Sequence, residues 1–421
     1  GIEKIGIHDD FFELGGHSLI VGQVINRINQ QLGKTVSFKT FFSNATVEKI
    51  TAQLKDNNYL PIQKSPQALS YPLTASQNRL WILSQLEGGS LAYNMPAAVK
   101  LKGNLDIDKF EESFKRLINR HEILRTYFKI NNEGEVRQYI LPENDLKFKI
   151  VQEDYSLAEN QEDAVRNHLY ERNRETFDLE NAPLLRASLL KIREEEYVFF
   201  LSLHHIIGDG WTIELIIAEI VKTYNALKKD NAAALPALKI QYKDYALWFN
   251  EELQLEKYKA SETYWLNQFS GQIPVLDLPS FKTRPLVQTY NGDAVKHTFG
   301  KEFSEKLKSF SQEHDLTLFM TLMSGINALL HRYTGQDDIV VGTPIAGREH
   351  PDLENQLGLF LNTLAIRTQI KEKVTFLDLI TNQKENLLEA YDHQNYPFDL
   401  LVSQLNLKRD SSRSALFDVL V

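Results

Sequence analysis

Two adjacent histidines followed by Asp-Gly are the residues best suited to chemistry in this chain: His204-His205, three intervening residues, then Asp209-Gly210. A neutral imidazole can take a proton from an attacking amine or hold the amine lone pair in line, and histidine titrates near neutral pH. The preceding run from Tyr197 is rich in β-formers, and its period of two predicts a strand with Phe199, Leu201, Leu203 and His205 on one face and His204 on the other. Residues 206–209 read as a turn. Gly210 then opens a helical run whose apolar positions are Ile213, Ile216, Ile217, Ile220, Val221 and Tyr224. A strand end facing a helix start is where a rigid scaffold lets a side chain reach substrate, so His205 is the candidate catalytic residue. His204, Asp209 and Gly210 complete the set. Asp209 is expected to orient the ring or, the favoured reading, to pair with a buried arginine, and the Gly210 amide is placed to meet a developing oxyanion.

Competing readings of the pair are weaker. A purely structural role would not require Asp-Gly at this spacing, and adjacent strand histidines point to opposite faces, so they cannot easily grip one metal ion. No Gly-x-Ser-x-Gly elbow occurs, which argues against a serine hydrolase. Ser18 is the second chemical candidate. It follows Asp9-Asp10-Phe11-Phe12-Glu13-Leu14-Gly15-Gly16-His17 and precedes apolar residues at helical spacing. A serine at a helix start is commonly an N-cap, yet the same position also suits a phosphodiester, because unpaired N–H groups and the helix dipole favour a phosphate there.

The elements around these residues are those of a multidomain globular chain. Of 421 residues, 43% are apolar and 24% charged. The absence of cysteine excludes a thiol nucleophile, a disulfide or a thiolate metal site, so any thiol must come from a cofactor. A net charge of -9 argues against a nucleic-acid binder. Neither a signal peptide nor an apolar run of spanning length is evident, so a cytoplasmic location away from membranes is expected. Phe38, Phe41 and Phe42 read as a short turn before a helix with a Val47, Ile50, Leu54 stripe. Residues 56–73 read as a surface tether containing Pro61, Pro66 and Pro72. Both termini read as cut from a longer polypeptide, the last residues as the interior of a strand.

Asp9 to Leu19 resembles, without a gap, the peptidyl carrier motif Asp-x-Phe-Phe-x-x-Gly-Gly-x-Ser-Leu. The resemblance implies 4'-phosphopantetheine on Ser18 and an all-α helix bundle over residues 1–55 that lacks the family's first helix. His-His-x-x-x-Asp-Gly resembles the chloramphenicol acetyltransferase-like superfamily. Flanking motifs narrow this to condensation domains of non-ribosomal peptide synthetases: Ser76-Gln77-Asn78-Arg79-Leu80-Trp81, Tyr93-Asn94-Met95-Pro96, Arg120-His121-Glu122-Ile123-Leu124-Arg125-Thr126, Tyr242-Lys243-Asp244-Tyr245-Ala246-Leu247-Trp248, Gly342-Thr343-Pro344-Ile345-Ala346-Gly347-Arg348, Gly358-Leu359-Phe360-Leu361-Asn362-Thr363, His393-Gln394-Asn395-Tyr396-Pro397-Phe398 and Arg409-Asp410-Ser411-Ser412-Arg413.

This likeness implies a two-lobed α/β domain over 74–421, incomplete at its C-terminus, with lobes at about 74–245 and 246–421 in a V and a tunnel meeting at His205. It also implies amide formation between carrier-bound acyl groups, and Arg348, or alternatively Arg125, as the partner of Asp209. The implied partners are a downstream acceptor carrier, an upstream adenylation domain, a phosphopantetheinyl transferase, and aminoacyl or peptidyl thioesters. A carrier followed directly by this domain, with no epimerase between, points to a donor of L configuration. An epimerase and a cyclisation domain fit the motifs less well, and a non-catalytic recruitment domain is the alternative from another class.

Overall fold

The computed structural model describes residues 4–16, 18–57, 60–86, 89–229, 235–280, 282–407 and 410–421, without the side chains of Ser18, Leu19 and Lys257. His17 and Arg409, both within the motifs above, lie outside the described residues. The chain divides into two compact units. One comprises residues 1–60, 255–354 and 361–421, and the other residues 61–254 with 355–360. Among the described residues no helix is long and apolar enough to cross a membrane.

The first unit begins with three helices, α1 (Ser18–Leu32), α2 (Phe38–Ser43) and α3 (Val47–Ala52), and a two-residue ladder of β1 (Lys34–Thr35) with β2 (Lys55–Asp56). The phenylalanines expected on a turn instead form α2, because Ser37 caps it by accepting the Thr40 amide. Val21, Ile25, Val36, Phe41 and Ile50 make the small core, whereas Val47 of the expected stripe is exposed.

The second unit is built on a four-stranded sheet. Its elements are β3 (Tyr71–Pro72), α4 (Ala75–Ser84), α5 (Gly89–Ala92), β4 (Asn94–Lys102), α6 (Ile107–Arg120), β5 (Thr126–Ile130), β6 (Val136–Ile140), β7 (Val151–Asp154), α7 (Gln161–Arg174), β8 (Leu185–Arg193), β9 (Glu196–His204), α8 (Gly210–Lys228) and α9 (Tyr242–Glu252). The sheet order is β4-β9-β8-β7, with only the β7–β8 pair parallel. Strand β9 is central and buried on both faces from Val198 onward, which explains its unbroken apolar run. On one face Phe199 meets Phe110 and Phe114 of α6, edge on. On the other, Val198 packs with Val165 of α7. A second sheet, β3-β6-β5, is joined by the end of the presumed tether. That segment is no free linker: Ile62 is buried, and Ser65 donates both its amide (2.8 Å) and its hydroxyl (2.6 Å) to Asp244.

The remainder of the first unit holds α10 (Glu256–Gln268), α11 (Lys301–Glu313), α12 (Leu318–Thr334), β10 (Asp338–Ile345), β11 (Asn362–Gln369), α13 (Phe376–Asp392) and α14 (Phe398–Gln404) around one apolar core. β10 and β11 are antiparallel, and the chain's last residues run beside β10, with Gly342 donating to Val419 O and accepting from the Val421 amide, each at 2.9 Å.

Candidate functional site

Strand β9 ends one residue before His205, which starts a 3-10 turn (His205–Ile207) leading into α8. The departure from strand geometry has a local cause. His205 Nδ1 lies 2.7 Å from Gly208 O, and a carbonyl only accepts, so in the neutral ring Nδ1 carries the proton and Nε2 presents its lone pair. The His205 amide donates to Tyr93 O at 2.9 Å. Gln77, fully buried on α4, donates to Ile206 O at 3.2 Å, which gives the Ser-Gln-Asn-Arg-Leu-Trp motif a structural purpose. His205 itself remains partly exposed.

His204, grouped above with the catalytic candidates, is fully buried, and this corrects its role. Its Nδ1 accepts the Ile206 amide at 3.2 Å, placing its own proton on Nε2. Burial, with His205's charge adding to it, lowers its pKa to about 3. A neutral, enclosed ring that holds the Ile206 amide fixes the turn.

Asp209 is fully buried and caps α8: Oδ1 accepts the Thr212 amide at 2.8 Å and the Thr212 hydroxyl lies 2.9 Å away. Its Oδ2 accepts the Phe360 amide at 3.2 Å. Thr212 Oγ1 also lies 3.0 Å from Gly358 O and accepts the Gly358 amide at 3.1 Å. Tyr242 donates to Leu359 O at 2.7 Å, and its ring lies so close to Gly358 that a Cβ there would come within 2.0 Å of it. Gly358 adopts φ +152, which also favours glycine. The short segment 355–360 is thereby tied to the histidine turn. The sequence does not single out Thr212, Tyr242 or Gly358 as site residues; Tyr242 and Gly358 lie in motifs given above and Thr212 two residues beyond the histidine motif, but a motif does not state which atoms meet.

The Gly210 amide, at the exposed first position of α8, has no hydrogen-bond partner among the described residues and sits at the positive end of the helix. Arg125 is corrected to a packing arginine: its guanidinium donates to the carbonyls of Ile118 and Leu141. Arg348 belongs to the other unit, where it is buried and donates to Leu353 O at 2.8 Å. Among the described residues no group of three histidines or carboxylates could hold a metal ion.

Ser18 begins α1, whose first turn has no acidic residue. The turn before it is built by Asp10, which accepts the Phe12 and Glu13 amides at 2.8 and 3.2 Å. At Gly16 a Cβ would fall 2.3 Å from the Phe11 ring, and Gly15 has φ +93, so both glycines are required by the turn. Two glycines ahead of a helix whose first turn carries no acidic residue fit a phosphate ester on Ser18. The serine side chain itself lies outside the described residues.

Residues 67–421 match the family model described as condensation domain, and residues 1–54 that described as phosphopantetheine attachment site. Tyrocidine synthase 3 of Brevibacillus parabrevis is 41% identical over 423 residues, covering 100% of this chain and 6% of the relative. Bacitracin synthase 3 of Bacillus licheniformis is 41% identical over 424 residues, again covering 100% of the chain and 6% of the relative. The chain therefore spans only a small part of the relatives it matches. Among solved structures, the X-domain from teicoplanin biosynthesis has a TM-score of 0.77 and 25% identity, covering 86% of this chain and 79% of that one. The first condensation domain of the calcium-dependent antibiotic synthetase, in complex with a substrate analogue, has a TM-score of 0.67 and 19% identity over 82% and 80%, a likeness of fold.

The α/β unit that carries the histidine turn has the architecture of a condensation domain, and a helical carrier segment precedes it in the chain. The chain belongs to the condensation-domain family of non-ribosomal peptide synthesis, with a phosphopantetheine attachment domain at its N-terminal end.

Proposed function

We propose that this chain joins an acyl donor, carried as a thioester at Ser18, to the amino group of an aminoacyl thioester on a downstream acceptor carrier. The observation that supports it most is the His205 Nδ1 to Gly208 O bond of 2.7 Å, which leaves Nε2 as the lone pair available to the amine. The phosphopantetheine arm would supply the thiol that this cysteine-free chain lacks. As the amine nitrogen bonds to the donor carbonyl carbon, its proton passes to His205 Nε2 and the carbonyl oxygen becomes anionic. The Gly210 amide, at the start of α8, would be the donor to that charge. The carbon–sulfur bond then breaks, and His205 returns the proton to the departing thiolate. Aminolysis of a thioester is already favourable, so holding two tethered reactants together supplies much of the acceleration.

The donor is proposed to have L configuration, on the strength of domain order. Arg348 is the remaining sequence candidate for ionic partner of Asp209, since Arg125 is committed to carbonyls. An upstream adenylation domain, a phosphopantetheinyl transferase and a cytoplasmic setting belong to the same reading. A recruitment role is the second reading, and one similar solved structure is a complex of the X-domain and OxyB from teicoplanin biosynthesis; the intact His-His-x-x-x-Asp-Gly motif favours catalysis. Matched donors ending in L or D residues test the proposal. Faster transfer from the L donor, lost in His205→Ala, supports it, and equal transfer from both donors overturns the assignment of configuration.

A further inference from the structure

The carrier helices pack against the surface formed by residues 348–354 and α13 within one compact unit. Asn26, 3% exposed, donates to Arg348 O at 2.7 Å, and Gln30, one turn later on α1, donates to Pro351 O at 2.9 Å. Both bonds are to main-chain carbonyls, so they fix position without reading side-chain identity. Phe42 stacks on Tyr391 with centroids 5.6 Å apart and planes at 15°, and Phe42 in turn stacks on Phe12 of the attachment motif at 4.9 Å. Any carrier with these phenylalanines could form the same stack.

The charges are different. α13 carries Glu385, Glu389 and Asp392 in its C-terminal half and no basic residue in its last turn, the reverse of what the helix dipole favours. Lys39 of α2 supplies the missing charge. Its ammonium pairs with Glu389 and is held protonated above the ordinary lysine range by that bond first, with Asp392 and Glu385 adding to it.

We propose that the acidic end of α13 is a selectivity patch that recognises the chain's own carrier through Lys39, and that it discriminates against carriers lacking a cation at this position of α2. The patch deepens the reading of the carrier as donor and rests on it.

The absence of cysteine permits a clean test in the full chain. Arg27 and Glu354 face each other at 3.7 Å on the rim of this contact. With both changed to cysteine, a short bismaleimide bridges them only while the carrier is docked. Lys39→Glu and Glu389→Lys are each expected to slow bridging roughly five- to tenfold, and the double reversal to recover part of that loss, since Glu385 and Asp392 still face position 39. Lys39→Gln should give a smaller loss, and loading of Ser18 by a phosphopantetheinyl transferase checks that each variant is folded. Bridging that is indifferent to the single reversals, or a double variant no better than the singles, overturns the patch. Amide formation is followed separately. If bridging follows the charges while no variant or wild type condenses, the patch stands and the catalytic reading fails. If wild type condenses and neither bridging nor condensation responds to the charges, the patch fails alone.

Discussion

Thr212→Val removes one oxygen from the brace behind the histidine turn while keeping the side chain's shape. The Thr212 hydroxyl lies 2.9 Å from Asp209 Oδ1 and 3.0 Å from Gly358 O, and it accepts the Gly358 amide at 3.1 Å. Thr212 is fully buried, so water cannot easily replace it. Valine leaves the Gly358 amide without an acceptor, a loss of about 1–3 kcal/mol. Asp209 loses one hydrogen bond but keeps the Thr212 and Phe360 amides, so roughly 2–3 kcal/mol is expected in total. Chemical denaturation should show that loss for Thr212→Val and no more than about 1 kcal/mol for Thr212→Ser, which keeps the hydroxyl and drops only a methyl. Transfer should fall with the valine and persist with the serine, because the brace sets the angle at which the turn presents His205. A valine variant with unchanged stability and unchanged transfer would refute the brace.

Further outcomes follow from the same turn. Gly208→Ala would put a Cβ 2.8 Å from Thr212 Cγ2 and 2.9 Å from Leu203 Cδ1, shifting the carbonyl that orients His205; transfer should fall at least tenfold while Ser18 loading is unchanged, measured by intact mass. His204, with a folded pKa of about 3 against an ordinary 6.5, binds its proton more readily when the chain is unfolded. Its contribution is therefore complete above about pH 6.5 and is lost as pH falls toward 3, at up to about 1.4 kcal/mol per pH unit. Denaturation of wild type and His204→Asn across that window should show a shallower slope in the variant, which can still accept the Ile206 amide but does not titrate.

What the sequence disclosed and what it concealed divide by distance along the chain. The elements around Ser18 and His205 are legible because they are local, a Gly-Gly turn before a helix and an apolar strand before Asp-Gly. The end of β9 was misplaced by one residue because a single side-chain bond, His205 Nδ1 to Gly208 O, draws His205 into the turn. The links from Asp209 to Phe360 and from Thr212 to Gly358 join positions about 150 residues apart, and no periodicity encodes such a meeting. Asp209 shows the ambiguity well. An acid three residues before a helical threonine fits an N-cap as readily as an ion pair, and the cap is observed. The segment after Pro61 reads as a tether by composition, yet Ser65 and Ile62 are held by partners that composition does not reveal.

Amide formation at His205 is open to a direct test. A donor acyl group loaded at Ser18, mixed with an aminoacyl acceptor carrier, should add its mass to the acceptor with wild-type chain and fail to do so with His205→Ala, both chains being equally loaded. Transfer by His205→Ala at the wild-type rate would contradict the account, as would a fully loaded wild-type chain that transfers nothing.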